Sequence, residues 1–208
     1  MNPYATEQEA FWAGEFGDHY VARNKEQELL TSNLALFSQV LARAEKIRSV
    51  IEFGSNIGMN LRALQQLLPT AQFSAVEINE TAVAELRKLP GLTVHHQSLL
   101  EFKPQSLADF VLIKGVLIHL QPEKLAEAYR VLYEASGRYV CVAEYYNPTP
   151  VSIPYRGHDE RLFKRDFAGE MLKQFPDLKL RDYGFIYHGD ANFPADDITW
   201  FLLEKKSV

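Results

Sequence analysis

The feature that most constrains this chain is a short apolar strand pattern that ends in an acid and a glycine-bearing turn. Residues Ser49 to Ile51 are apolar enough for a buried strand, and the segment E-F-G-S-N-I-G follows at positions 52 to 58. Four leucines then recur at the spacing of one helix face, namely Leu61, Leu64, Leu67 and Leu68. A strand, a tight turn and a helix in this order present backbone N–H groups at a helix N-terminus that faces a cleft. The pattern predicts the first unit of an α/β domain with a ligand site at the turn.

The glycine spacing distinguishes between kinds of nucleotide site. A dinucleotide site has the pattern G-x-G-x-x-G, in which the second glycine admits a pyrophosphate against bare backbone. Here the pattern is E-x-G-x-x-x-G, running from Glu52 to Gly58 with Asn56 in the middle. It resembles the glycine motif of class I S-adenosylmethionine (SAM) methyltransferases, [DE]-x-G-x-G-x-G. A structural turn in some other α/β domain is the alternative for this stretch.

A second acid is expected beside the glycine turn. The next predicted strand, Gln72 to Val76, ends at Glu77, which is 23 residues after Gly54. The intervening helix, of about 16 Å, returns the chain across the sheet, so both strands end at the same edge. An acid in that place can accept hydrogen bonds from ribose hydroxyls. The alternative is a solvated loop glutamate.

The remaining periodicity predicts a doubly wound, mostly parallel seven-stranded sheet whose last strand is antiparallel. Five further strands are expected at Leu92 to His96, Ala108 to Lys114, Tyr139 to Ala143, Leu178 to His188 and Ile198 to Glu204. Residues 1–48 are predicted to form an N-terminal helical cap. This cap acts either as a lid over the cofactor, with Tyr20 or Arg23 reaching the ligand, or as a docked helix that covers the sheet edge.

Residues 145–161 lack periodicity and are predicted to form a long substrate loop at the ligand edge of the sheet. An ordered surface loop is the alternative. The candidate substrate contacts are Tyr145, Tyr146, Arg156, Asp159 and Arg161. An amphipathic helix is expected next, from Leu162 to Phe175, and Asp190, Asn192 and Phe193 of the last loop are further candidates on the substrate side.

Composition narrows the classes of protein. With 208 residues, 47% of them hydrophobic, the chain is predicted to be a single domain spanning residues 1–208. A net charge of −5 without a basic cluster disfavours nucleic-acid binding. The lone Cys141 and the absence of a long apolar run indicate a cytoplasmic protein without a membrane segment. His95 and His96 are adjacent on a strand and point to opposite faces, so no metal site is expected.

From Phe11 to Lys205 the chain resembles the SAM-dependent methyltransferases found with pseudaminic acid biosynthesis genes. The motifs that carry this resemblance are F-W-x-G-x-F-G-x-x-Y-x-x-R-N from position 11, E-F-G-S-N-I-G-x-N from 52, K-G-V-L-I-H-L from 114, Y-Y-N-P-T-P from 145, Y-R-G-H-D-E-R-L-F-K-R-D-F-A-G-E from 155 and D-D-I-T-W-F-L-L-E-K from 196. The resemblance implies a Rossmann-like class I methyltransferase fold, SAM as cofactor and S-adenosylhomocysteine (SAH) as product. It also implies a small polar acceptor, with a sugar or nucleotide sugar of a surface glycan pathway as the candidate.

Within this resemblance the predicted cofactor-binding residues follow the cap and the strand ends. They are Tyr20, Arg23, Glu52, Gly54, Ser55, Asn56, Gly58, Glu77, Ile78, Ser98, Leu99, Lys114 and Gly115. Many class I methyltransferases have an acid after the third strand, where it meets the adenine amino group. This chain has Ser98 there, so Ser98 or a backbone group would have to serve.

The methyl group of SAM sits on a sulfonium leaving group, so the main task of the protein is to align acceptor and methyl carbon. A general base is needed only if the acceptor arrives protonated. His119 is the first candidate and His158, with Asp159 as a possible partner, the second; Glu144 is also assigned to the catalytic set. Two alternatives stay open: a catalytically silent SAM-binding domain, and an NAD-dependent sugar oxidoreductase or epimerase. The glycine spacing and the lack of a Tyr-x-x-x-Lys pair argue against the oxidoreductase.

Overall fold

A seven-stranded sheet forms the centre of the computed structural model, which describes residues 4, 6–23, 27–155 and 158–206. The strand bounds are β1 Ser49–Phe53, β2 Gln72–Glu77, β3 Leu92–His96, β4 Ala108–Lys114, β5 Ser136–Glu144, β8 Leu178–Ile186 and β9 Ile198–Lys205. Within the sheet the strands lie in the order β3-β2-β1-β4-β5-β9-β8. Strands β1 to β5 pair in parallel, and β9 runs antiparallel between β5 and β8. The predicted sheet is confirmed.

Helices cover both faces of the sheet. Their bounds are α1 Glu7–Ala13, α2 Glu15–Arg23, α3 Gln27–Leu41, α4 Met59–Leu67, α5 Glu80–Leu86, α6 Leu125–Ala135 and α7 Phe167–Gln174, with 3₁₀ turns at Leu117–His119 and Pro122–Lys124. Two buried clusters fill the two layers: Val50 packs with α3 and α4, and its neighbour Ile51 with α6 and α7. Adjacent strand residues serve opposite clusters because side chains alternate across a strand. Among the described residues, no helix has the length and apolar character needed to span a bilayer.

The segment predicted as an irregular loop contains a two-stranded hairpin, so that prediction is wrong for most of its length. Strand β6, Val151–Tyr155, pairs antiparallel with β7, His158–Lys164. Proline interrupts a strand pattern, but here Pro154 lies at the register shift between Ile153 and Tyr155, where a ladder hydrogen bond is not required.

The helix after the hairpin begins later than predicted. Leu162 is buried but belongs to β7, and α7 starts at Phe167. Asp166 caps this helix by accepting a hydrogen bond of 2.8 Å from the backbone N–H of Gly169. The run of apolar residues before Asp166 is too short to distinguish the period of a strand from that of a helix. The helix was therefore predicted to begin too early.

Candidate active site

A cavity of about 230 Å3 lies at the carboxyl ends of β1 to β4, beneath α1 and α2. Parallel strands that alternate with helices form their ligand crevice at this edge. The cavity is lined by eleven of the sequence-predicted residues: Tyr20, Gly54, Ser55, Asn56, Glu77, Ile78, Ser98, Leu99, Lys114, Gly115 and His119. The alternation of strands and helices thus brings together residues that are up to 99 positions apart in the chain.

The glycine turn forms the floor of the cavity. Gly54 has φ = 71°, and its N–H donates to the carbonyl of Val76 at 2.8 Å. A Cβ at Gly54 would lie 2.4 Å from a methyl carbon of Val116, so the position excludes side chains for two reasons. Gly58, the N-cap of α4 with φ = 80°, instead faces Leu86 and Leu89. It does not line the cavity, which corrects its assignment to the cofactor-binding set.

Glu77 is held beside the turn by backbone N–H groups. Its carboxylate accepts from Asn56 at 2.7 Å, from Ile78 at 2.8 Å and from Asn79 at 2.9 Å. Burial raises the pKa of this carboxyl, and the three N–H donors oppose the rise. A carboxylate offers about four acceptor positions. Three of them are taken by these N–H groups, so Glu77 can accept one further hydrogen bond. The predicted adjacency of Glu77 and the glycine turn is confirmed.

Glu52 lies below the cavity and does not line it, contrary to its predicted direct role. Its side chain is 0% exposed, and one carboxylate oxygen accepts from Nδ2 of Asn60 at 2.6 Å. Burial raises the pKa of Glu52 to about 8. Asn60 does line the cavity, and its Oδ1 has no hydrogen-bond partner among the described residues. The sequence analysis did not identify Asn60 as a site residue, although its place in the first turn of α4, directly after the glycine turn, was the available signal.

A lysine and an aspartate also line the cavity. Lys114 lines it, and burial lowers the pKa of its ammonium, whereas Glu52, Asp196 and Glu144 act in the opposite direction. Asp196 comes from the loop between β8 and β9. The sequence predicted Asp190, Asn192 and Phe193 of that loop as candidates on the substrate side, but none of these three residues lines the cavity. The Asp190 carboxylate instead accepts from the backbone N–H groups of Asn192 and Phe193, both at 2.8 Å.

Glu144 shapes the turn that carries His119 and is itself outside the cavity. One of its oxygens accepts from the N–H groups of Val116 and Leu117, both at 2.9 Å. Burial raises the pKa of Glu144 to about 7. The geometry corrects the catalytic assignment: Glu144 contacts the backbone of the 3₁₀ turn, whereas His119 lines the cavity. The His119 ring lies 4.5 Å, centroid to centroid, from the ring of Trp12.

Helices α1 and α2 form the roof. Trp12 and Tyr20 line the cavity with their rings in an edge-to-face arrangement at 5.4 Å. Asn79 joins the roof to the sheet, since its Nδ2 donates to the carbonyl of Trp12 at 3.2 Å and to Asp18 at 3.1 Å. The same side chain caps α5 through Ala82. Trp12 and Asn79 had not been predicted as site residues.

None of the five predicted substrate contacts is found at this cavity: two lie elsewhere, and the side chains of the other three lie outside the described part of the chain. Tyr145 is half-buried, with the Lys164 ammonium 5.0 Å from its ring centroid. Tyr146 is 42% exposed and lies near Phe201. Neither tyrosine lines the cavity. Arg156 is outside the described residues, as are the side chains of four others, Arg23, His158, Asp159 and Arg161. In the described part of the chain, no group of three or more His, Cys, Asp or Glu is placed to hold a metal ion.

Comparisons with known proteins give structural likeness at low sequence identity. No family model and no curated protein matches the sequence. Among solved structures, the N1-methyltransferase of 1,6-didemethyltoxoflavin from Burkholderia thailandensis, determined with its substrate and SAH, has a TM-score of 0.71 at 11% identity. That match covers 100% of this chain and 93% of the other.

Two further structures are similar. The sugar N-methyltransferase KedS8 from a Streptoalloteichus species has a TM-score of 0.65 at 14% identity, over 94% of both chains. Mitomycin 7-O-methyltransferase has a TM-score of 0.69 at 13% identity. The match covers 97% of this chain, which spans only 61% of that protein. The chain therefore has the Rossmann-like fold of class I SAM-dependent methyltransferases, with a cavity at the ligand edge of that fold.

Proposed function

We propose that this protein transfers a methyl group from SAM to a small polar acceptor and releases SAH. The observation that carries the proposal is the position of the Glu77 carboxylate, 2.7 Å from the backbone N–H of Asn56 in the glycine turn. The acceptor position that remains on this carboxylate can take a hydrogen bond from a ribose hydroxyl. The fold shared with methyltransferases is consistent with the proposal.

The cavity walls fit the other parts of SAM. Oδ1 of Asn60, which has no partner among the described residues, suits the ammonium of the methionyl group, and Glu52 behind it is a source of negative charge when ionised. A Cβ at Gly115 would meet no atom within 4 Å, so this glycine leaves open space in the cavity wall. When bound, SAM would supply a methyl group on a sulfonium. The residues that we assign to it are Tyr20, Gly54, Ser55, Asn56, Asn60, Glu77, Ile78, Ser98, Leu99, Lys114 and Gly115.

We assign His119 as the general base for an acceptor that arrives protonated. Its imidazole lines the cavity and takes the proton that a hydroxyl or ammonium loses as the bond to the methyl carbon forms. Glu144 orients the turn, and Trp12 covers the ring. The indole N–H of Trp12 has no partner among the described residues, so it can donate to an acceptor oxygen.

A sugar or nucleotide sugar of a pseudaminic acid or surface glycan pathway is the acceptor class that we propose. Support comes from the motifs quoted above, from the polar and aromatic cavity wall, and from the sugar N-methyltransferase among the similar folds. The net charge of −5 favours a small molecule over a nucleic acid. A cytoplasmic location is part of the proposal, on the evidence of the lone cysteine.

Calorimetric titration with SAM, SAH and NAD tests the cofactor. Binding of SAM and SAH in the micromolar range without NAD binding is expected; binding of NAD alone would favour the sugar oxidoreductase alternative. Mass spectrometry then tests for a 14-Da gain on a panel of sugars, nucleotide sugars and amines. SAH binding with no methylated product from any acceptor would favour the silent SAM-binding alternative.

His119→Ala tests the base. We expect turnover at saturating acceptor to fall at least about 100-fold while SAH affinity stays within about threefold, because general-base catalysis typically contributes 10²–10⁴-fold. His19→Ala is the control, since His19 is exposed on α2. Full turnover of His119→Ala would remove His119 from the base role.

A further inference from the structure

A buried carboxylate from α1 lies at the end of β3, where the sequence alone offers only Ser98. Glu9 is 6% exposed and lines the cavity. Oγ of Ser98 donates a hydrogen bond to one oxygen of Glu9, although the two residues are 89 positions apart. The first helix thus adds an acid to a strand end that carries none of its own.

Glu9 is held in this position by the start of its own helix. Thr6 is the N-cap of α1 and forms a capping box with Glu9: the Glu9 N–H donates to Oγ1 of Thr6 at 3.1 Å, and the Thr6 N–H donates to the second Glu9 oxygen at 3.2 Å. The capping box and Ser98 hold the carboxylate from two sides. A rigid, buried acceptor of this kind discriminates between ligands, because a ligand group that cannot donate to it would be buried without a hydrogen bond, which is costly.

The location relative to Glu77 indicates which part of a nucleoside Glu9 would face. Glu77 ends β2, and β3 is the neighbouring strand, about 4.8 Å away in the sheet. If Glu77 binds the ribose, the base lies towards the end of β3, which Gln97, Ser98 and Leu99 line together with Glu9. Of the described carboxylates that line the cavity, Glu9 is the one at this end.

We propose that Glu9 accepts a hydrogen bond from the exocyclic amino group of adenine and so determines the purine that the site takes. A carboxylate is an acceptor only. It therefore favours the amino group of adenine and disfavours a purine that carries an oxo group at the same position. The inference rests on the proposed function, because it requires an adenosyl cofactor in this cavity.

The test compares SAH with S-inosylhomocysteine, in which an oxo group replaces that amino group, by calorimetric titration of the full chain. We expect wild type to bind SAH at least about 10-fold more tightly than S-inosylhomocysteine, since a hydrogen bond to a charged group has that value. Glu9→Gln retains an oxygen for the Thr6 N–H, so the capping box persists, while its amide can donate to an oxo group. The preference should fall about 10-fold in this variant.

Glu7→Gln is the matched control, because Glu7 is exposed in the same first turn and loses the same charge. It should retain the wild-type preference. Ser98→Ala provides a second variant if Glu9→Gln does not fold: it removes the hydroxyl that holds Glu9 and should reduce the preference at least threefold.

Three results would overturn the inference. An equal preference in wild type and Glu9→Gln would exclude the adenine-binding role of Glu9 and leave the proposed function intact. Equal affinities of the wild type for the two ligands would have the same consequence. Failure of wild type to bind either ligand would remove the proposed cofactor, and this inference with it.

Discussion

The carboxylate of Glu77 accepts a hydrogen bond of 2.7 Å from the backbone of Asn56, so the end of β2 is joined directly to the glycine turn after β1. Asn56 has φ = 47°, a left-handed conformation that directs its N–H towards this carboxylate. Asparagine tolerates this conformation better than most residues. The contact makes the turn and the acid one structural unit, on which the proposed ribose site depends.

Glu77→Gln should weaken SAH binding at least about 10-fold, because hydrogen bonds to a charged acceptor contribute about 1.5–3 kcal/mol. The variant also leaves three N–H donors, one from the glycine turn and two from the residues after β2, facing an amide that offers a single acceptor oxygen. Calorimetric titration measures the loss. Glu101→Gln, at an exposed position outside the cavity, is the control. Equal SAH affinity in wild type and Glu77→Gln would separate the carboxylate from the cofactor.

Gly54→Ala should lower the free energy of unfolding more than Gly91→Ala does. Both glycines have positive φ, 71° and 68°, so both substitutions cost about 1–2 kcal/mol in backbone strain. A Cβ at Gly54 would also lie 2.4 Å from Val116, whereas one at Gly91 meets nothing within 4 Å. Overpacking should add about 1–3 kcal/mol at Gly54 alone. Urea unfolding measures the difference.

The double variant Gly54→Ala/Val116→Ala isolates the steric part of that cost. Removing the valine methyl groups opens the space that the new Cβ needs, so the two losses should be less than additive. Strict additivity, or equal costs at Gly54 and Gly91, would show that Val116 does not limit the glycine turn.

Asn79→Asp should release the helical roof without removing the cap of α5. Aspartate caps a helix as well as asparagine, but it lacks the Nδ2 donor that holds Trp12 and Asp18. The new carboxylate would also face the Asp18 carboxylate. We expect backbone hydrogen exchange in residues 7–23 to accelerate about fivefold, in keeping with about 1 kcal/mol for the lost bonds.

The matched control for the roof is Asn192→Asp, because Asn192 lies exposed in the loop between β8 and β9. Its exchange pattern in residues 7–23 should equal that of wild type. The same pattern in Asn79→Asp would mean that the roof is held by contacts other than this amide.

The free energy of unfolding should fall as the pH rises from about 4.5 to 8. Burial raises the pKa of Glu144 to about 7 and that of Glu52 to about 8. The unfolded chain ionises these carboxyls near their ordinary pKa of 4.5, so between the two values the folded state binds more protons than the unfolded state. The contribution of these two carboxyls to the free energy of unfolding is therefore fully present below pH 4.5. It is lost as the pH rises through their folded-state pKa values.

Glu144→Gln tests the lower part of this range. A glutamine oxygen still accepts from Val116 and Leu117 but has no charge to bury. Between pH 4.5 and 7, the free energy of unfolding of the variant should fall by on the order of 2 kcal/mol less than that of the wild type. Denaturant unfolding at several pH values measures both profiles, and Glu101→Gln should follow wild type. Superimposable profiles for Glu144→Gln and wild type would contradict the prediction.

The hairpin shows where periodicity misleads. Three prolines between positions 148 and 154 indicated a loop, yet β6 and β7 pair through most of this segment, with Pro154 at the register shift. The start of α7 at Phe167 was not predicted for a related reason, since the apolar residues before Asp166 fit a strand as well as a helix. Short segments carry too few repeats of a period to determine their type.

The order of strands and helices, and with it the meeting of Glu77 and the glycine turn, follows from the sequence alone. Apolar runs, breaker residues and element lengths are local properties, and a helix between two parallel strands returns the chain to the same edge of the sheet. The contacts of Glu9 with Ser98, of Glu52 with Asn60 and of Glu144 with the turn before His119 emerge only in the folded chain. They depend on the rotation of each helix and on how the roof packs on the sheet, which no local pattern specifies because the partners come from separate elements.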